Sequence, residues 1–171
     1  MSDNALAHAA DDRSSRPRPR AFGTIVYGGL AVGVLDALDA MIFFGIRNDV
    51  KPIRIFQSIA SGLLGRASFS GGLKTALLGA FLHFLIAFIM ATVFYFASLM
   101  LPTLIRHAVI WGIIYGVAAY FVMNFVVLPL SAVGPRTGPI PWAVFLNGVI
   151  GHAFLVWLPI ALLARRSARV G

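Results

Sequence analysis

The chain has 171 residues, 59% of them hydrophobic and only 12% charged, which is too little charge to cover a soluble domain of this size. It carries no cysteine, which excludes disulfides, thiolate metal sites, c-type haem attachment and cysteine nucleophiles. The net charge of +8 flanks apolar blocks and so points to membrane orientation and anionic lipid, not to a nucleic-acid surface.

Residues 1–20 are polar and end in Arg-Pro-Arg-Pro-Arg. Such a segment buries too little to offset the entropy of ordering, so a mobile basic tail is expected. The apolar run that follows is about 26 residues, too long for the h-region of a cleaved signal and long enough for a first span. Four blocks have spanning length: 21–46, 75–100, 107–128 and 141–164, with residues 167–171 left as a C-terminal tail. The third ends at Leu128-Pro129, where proline is expected to halt the helix, and the fourth opens on Pro141-Trp142, a proline at a helix start beside an interfacial aromatic.

Between the first two spans lies the one long connection. From Pro52 to about Leu64, Ile55, Phe56, Ile59 and Leu63 recur at helical spacing opposite Arg54, Gln57, Ser58 and Ser61, which predicts a short amphipathic helix lying flat in the interface. The fold class is therefore all-α: a polytopic four-transmembrane-helix bundle with one short interfacial helix. Arg54, Arg66 and Lys74, with the glycine-rich stretch between them, read either as a linker with lipid-facing cations or as an anion or lipid-headgroup site.

With four spans both termini share a side. That side holds eight Lys/Arg against six on the other, which favours cytoplasmic termini. Gly29 with Gly33, and Gly112 with Gly116, form two GxxxG pairs that permit close helix contact, either within the chain or across a homo-oligomer.

The polar residues inside the spans are Asp36, Asp39, His83, Asn124, Asn147 and His152. A carboxylate near the middle of a span costs roughly 2.5–3.5 kcal/mol on insertion scales, so two of them call for polar partners. Counted at about 1.5 Å per residue from the ends facing the long connection, all six fall between roughly 6 and 16 Å deep, in the same half of the membrane. Asp36 and Asp39 project about 60° apart on one face, whereas Asn147 and His152 diverge by about 140°. Gly79 and Gly148 lie one turn above His83 and His152 and are expected to leave room for a side chain or ligand.

Four readings use this set. It suits a proton or small-cation site, in which paired carboxylates and imidazoles form a relay. It also supplies the ligand types of a divalent metal site, and one histidine on each of two helices is the minimum for b-type haem between His83 and His152. The plain alternative is structural, with Asp, His and Asn hydrogen bonds tying the bundle together. No GxSxG, HExxH, P-loop or HxxxH series is present, and there is no glutamate, so the chain reads as non-enzymatic and no cofactor is expected.

From His83 onward the chain resembles the YagU-type family of uncharacterised bacterial inner-membrane proteins. The residues that carry the likeness are His83 with Phe94-Tyr95, Trp111-Gly112, Met123 through Leu128-Pro129-Leu130, and Pro141-Trp142 leading to Gly151-His152 and Trp157. The resemblance covers spans two to four, implies a bacterial inner membrane and a helical fold, and brings no reaction with it. The chain also resembles small proteobacterial membrane proteins carrying the stretch IRIFQSIASGLLG, here 53–65.

Overall fold

The structure is a computed structural model and describes residues 20–169, excepting the side chains of Val156 and Arg169. The expected basic tail lies outside the described residues apart from Arg20. Four helices are long and apolar enough to cross a membrane: α1 (Gly23–Asn48), α3 (Gly72–Met100), α5 (Ala108–Leu130) and α6 (Trp142–Ala168). Between them lie α2 (Pro52–Leu64), a 3-10 segment (Gly65–Ser70), and the single turn α4 (Thr103–Arg106).

The ends of these helices follow from local chemistry. α1 stops because Asp49 adopts a left-handed conformation (φ 51°), and the next two amides turn back: Asp49 N–H to the Gly45 carbonyl at 3.0 Å and Val50 N–H to the Phe44 carbonyl at 3.2 Å. Lys51 is extended and Pro52 takes the first helical position of α2, where its missing N–H costs nothing. Two expected boundaries move. Pro129 does not halt α5, which runs on to Leu130. The ring instead disturbs the turn before it: the ladder widens over Met123–Val127, where the Leu128 N–H reaches back to Met123, relieving the clash that proline makes with the carbonyl four residues earlier. The C-terminal tail expected from residue 167 is helical through Arg169.

The two ends of the described chain meet. Arg20 N–H donates to Ser167 Oγ at 3.2 Å, and that oxygen lies 3.3 Å from Thr24 Oγ1, so α1 begins and α6 finishes at one end of the bundle. An apolar core of Val32, Ala87, Ala91, Phe94, Ala161 and Trp157, among others, is built largely from small residues. That is expected where helices must approach closely without a hydrophobic drive from the surrounding lipid. Outward, α3 presents Leu77, Phe81, Leu85, Ile89 and Val93, each at least 42% exposed. Such a continuous stripe is at home against acyl chains and not against water.

The glycine pairs are occupied within the chain. A methyl on Gly29 would strike Phe88, one on Gly33 would strike Phe84, and those on Gly112 and Gly116 would meet residues of α6. These two faces therefore bring α1 to α3 and α5 to α6 within the chain.

Helix α2 forms where expected but turns a different side inward. Ile55, Gln57, Ala60 and Ser61 are buried, while Leu63 is 62% exposed. Gln57 and Ser61, which stand on the polar side of the expected amphipathic helix, thus point into the protein. The reason is α3: α2 folds back against it, with Gln57 Nε2 donating to the Gly72 carbonyl at 3.0 Å and to Thr75 Oγ1 at 3.4 Å. The backbone of Phe56 sits directly on Gly79, so the room expected above His83 is filled by α2. The loop after α5 fastens the far end, through Ala132 N–H to the Gly62 carbonyl at 2.9 Å.

Gly79→Ala places a methyl into the Phe56 carbonyl and should destabilise the protein by about 1–3 kcal/mol through overpacking. Gly138→Ala, which faces open space, should stay within about 0.5 kcal/mol of the parent. Thermal unfolding in detergent checks both, and equal midpoints for the two variants would contradict the close α2–α3 packing.

Candidate functional site

Asp36 and Asp39 lie on the face of α1 turned toward α3 and α6. They are three residues apart and address different partners. Asp36 sits between two imidazoles: its Oδ2 is 3.9 Å from His83 Nδ1 on α3, and its Oδ1 is 4.0 Å from His152 Nδ1 on α6. Asp39 Oδ2 accepts a hydrogen bond from Asn147 Nδ2 at 2.8 Å and rests against Gly151, where a methyl would come 2.9 Å from that oxygen. The angular divergence of Asn147 and His152 is thereby resolved, because the two residues serve different carboxylates and not one centre.

The tautomer of His83 follows from its surroundings. Its Nε2 is 2.8 Å from the Gly33 carbonyl, which can only accept, so Nε2 carries the hydrogen. Nδ1 is left facing Asp36 with either a lone pair or a second proton. A lone pair opposed to a carboxylate is repulsive, whereas a proton there is attracted by both groups. The 3.9 and 4.0 Å separations are roughly 1 Å longer than a direct hydrogen bond, within the reach of a small rotamer change. At that distance a protonated imidazole and a carboxylate attract by about 4 kcal/mol at an effective dielectric of 20, before the discount that partial exposure of Asp36 imposes. That is comparable with the cost of putting one carboxylate in the membrane. The two carboxylates and two imidazoles are electrically neutral as a set when they hold two protons beyond the fully deprotonated state.

Five of the six intramembrane polar residues therefore converge. Asn124 does not: its Nδ2 donates to the Tyr120 carbonyl at 3.0 Å, one turn back on its own helix, in the wide turn that Pro129 imposes. The space expected near Gly148 is taken by the Tyr120 ring, which meets the His152 ring edge-on with centroids 5.6 Å apart. Tyr120 is buried and its hydroxyl has no hydrogen-bond partner among the described residues. Tyr120 is not among the residues predicted for the site from sequence; the signal that marks it is its four-residue spacing to Asn124 and its polar tip. Gly33 and Gly151 were also missed as members of the site, since what they contribute is a backbone carbonyl and the lack of a side chain.

The remaining expectations fare differently. A b-type haem held between His83 and His152 does not fit this arrangement, because the Asp36 carboxyl stands between the rings and His83 Nε2 is committed to Gly33. For a divalent metal, no group of three or more His or Asp side chains among the described residues is close enough to hold an ion. The anion site expected from Arg54, Arg66 and Lys74 is not assembled. Arg54 donates to the Phe69 carbonyl at 3.2 Å and lies 5.4 Å above the Phe69 ring, while Arg66 and Lys74 are exposed and no bond joins the three among the described residues. No protein-family model, curated protein or solved structure matches this chain, so the role of the cluster rests on its own geometry.

Two measurements probe the site as a tie between helices. A double-mutant cycle of Asp39→Asn and Asn147→Ala should give a coupling of about 1 kcal/mol in detergent unfolding, the scale of interhelical hydrogen bonds in membranes. Tyr120→Phe, which removes a buried hydroxyl without a hydrogen-bond partner among the described residues, should leave stability unchanged or raise it by up to about 1 kcal/mol. A clear loss would mean that the hydroxyl has a partner of its own.

Proposed function

We propose that this is a multi-pass membrane protein whose Asp36–His83–His152 group, extended by Asp39 and Asn147, holds and exchanges protons within the bilayer. The observation that carries the reading is the position of one carboxyl between the Nδ1 atoms of imidazoles on two other helices, with one of those rings fixed in orientation by the Gly33 carbonyl. Because Nε2 of His83 is held, exchange at that ring runs through Nδ1 alone. Asp36 then takes a proton on Oδ2 and offers one on Oδ1, so the carboxyl links α3 to α6 through α1. Asp39 is the adjacent carboxyl, held in place by the Asn147 amide.

A proton suits the site better than a metal cation, since no three His or Asp side chains among the described residues are grouped closely enough to share an ion. The YagU-type likeness of spans two to four supports a bacterial inner membrane, and the eight-to-six distribution of Lys/Arg supports cytoplasmic termini.

The test is an imposed pH gradient across liposomes with an entrapped pH-sensitive dye. Reconstituted protein should collapse the gradient faster than lipid alone, and Asp36→Asn should return the rate to the lipid background. Asn124→Ala, whose amide is spent within its own helix, should match the parent. Flux that persists in a folded Asp36→Asn protein overturns the proposal. Absence of flux in the parent, together with a stability loss in Asp36→Asn, would make the cluster a structural tie.

A further inference from the structure

Two glycines in reciprocal register pack Tyr120 against His152. Tyr120 stands four residues after Gly116 on α5, and His152 four residues after Gly148 on α6. Gly148 receives the Tyr120 ring and Gly116 receives the His152 carbonyl, so each helix opens a gap one turn before its own polar ring and fills its neighbour's. The two rings meet nearly at right angles, with centres 5.6 Å apart. We propose that the Tyr120 hydroxyl is the hydrogen-bond acceptor for His152 Nε2 when that ring carries its second proton, which makes Tyr120 a positioning residue of the site.

The need for an acceptor comes from the ring itself. A protonated imidazole has a hydrogen on each nitrogen. His152 Nδ1 faces Asp36 Oδ1 at 4.0 Å, whereas Nε2 has no hydrogen-bond partner among the described residues. Tyr120 is buried and its hydroxyl lacks a partner there too, a standing cost to the fold unless the oxygen is used. Of the three rings packed against Tyr120, those of Phe121 and Phe145 offer no hydrogen-bonding atom, which leaves the imidazole. The His152 side chain is 24% exposed and has room to turn until Nε2 and the hydroxyl oxygen are in hydrogen-bonding distance. The result repeats the setting of His83, where Asp36 stands at Nδ1 and the Gly33 carbonyl at Nε2. A carbonyl only accepts and keeps the hydrogen on His83 Nε2, while a hydroxyl accepts or donates and so serves His152 Nε2 in either state. The charged and titratable groups facing the pair are Asp36 and Asp39 from α1 and Arg136 from the loop after α5, with His83 of α3 across Asp36. The consequence for proton exchange rests on the function proposed above; the hydrogen bond is tested apart from it.

The imidazole N–H resonances of the full chain, isotope-labelled at histidine and purified in detergent, provide that test. At about pH 5, below the usual histidine range, the His152 Nε2–H should exchange with water about tenfold more slowly in the parent than in Tyr120→Phe, the scale of a hydrogen bond to a charged group. The His83 Nε2–H, held by the Gly33 carbonyl, should exchange at one rate in both proteins, which excludes a general loosening of the fold. In liposomes under a pH gradient, Tyr120→Phe should pass protons roughly tenfold more slowly than the parent, whereas Phe121→Leu, a change to the more exposed neighbouring ring, should match it. Equal His152 exchange in parent and Tyr120→Phe overturns the proposal, and so does parental flux through a folded Tyr120→Phe protein. A parent that passes no protons but shows a Tyr120-dependent His152 signal upholds the hydrogen bond and removes the exchange function, so the two failures are told apart.

Discussion

The constraint on which the rest of the structure depends is the charge of Asp36. A carboxyl in the middle of an apolar span cannot be left to lipid, and one helix has no means of compensating it alone. Its partners arrive from α3 and α6 as His83 and His152, so three spans must come close at one level. Glycines permit this. Gly33 lets α3 approach until Phe84 packs on it and its own carbonyl reaches His83, and Gly151 makes space for the Asp39 carboxyl. The small residues of this bundle are thus tied to the polar ones: the same close approach that packs the helices sets the distances in the site.

The molecule is correspondingly asymmetric along its axis. The apolar core of Phe94, Ile105, Ala108, Trp157, Ile160 and Ala164 gathers toward the end where Thr24 and Ser167 meet, whereas the Asp–His–Asn group lies toward the other end, beneath α2 and the loop after α5. Helix α2 closes that polar half. Its buried face is mixed, with Ile55 and Ala60 beside Gln57 and Ser61, and Leu63 and Leu64 face outward. A helix whose inner face carries Gln57 and Ser61 can lie against α3 only because Gly72 and Thr75 supply acceptors.

Much of this was legible in the residues and some was not, for physical reasons. Span number and approximate limits follow from block length and hydropathy, since twenty apolar residues have few other places to go. The convergence of Asp36, Asp39, His83, Asn147 and His152 follows from equal depth on alternating helices. What depth does not contain is azimuth. Asn124 is at the right level but bonds to its own helix, and Gly79 and Gly148 look like openings although Phe56 and Tyr120 fill them. For α2 the error has a different origin. Periodicity ranks faces by hydrophobicity, whereas α2 buries a mixed side, Ile55 and Ala60 with Gln57 and Ser61, and leaves Leu63 exposed.

The prolines connect these points. Pro129 and Pro159 each follow a wide turn, Met123–Val127 in α5 and Gly151–Trp157 in α6. In both cases the ring removes one ladder donor and crowds the carbonyl four residues back, and the extra residue in the turn relieves the crowding. Those two segments hold Asn124 and His152. In α5 the distortion leaves a polar side chain engaged with its own backbone. In α6 it begins at the glycine that admits Asp39 and places His152 beside Asp36, with the His152 carbonyl against Gly116 of α5. α3, which contributes His83, is an unbroken α-helix. The carboxyl of α1 is therefore held between one imidazole on a regular helix and one on an irregular helix.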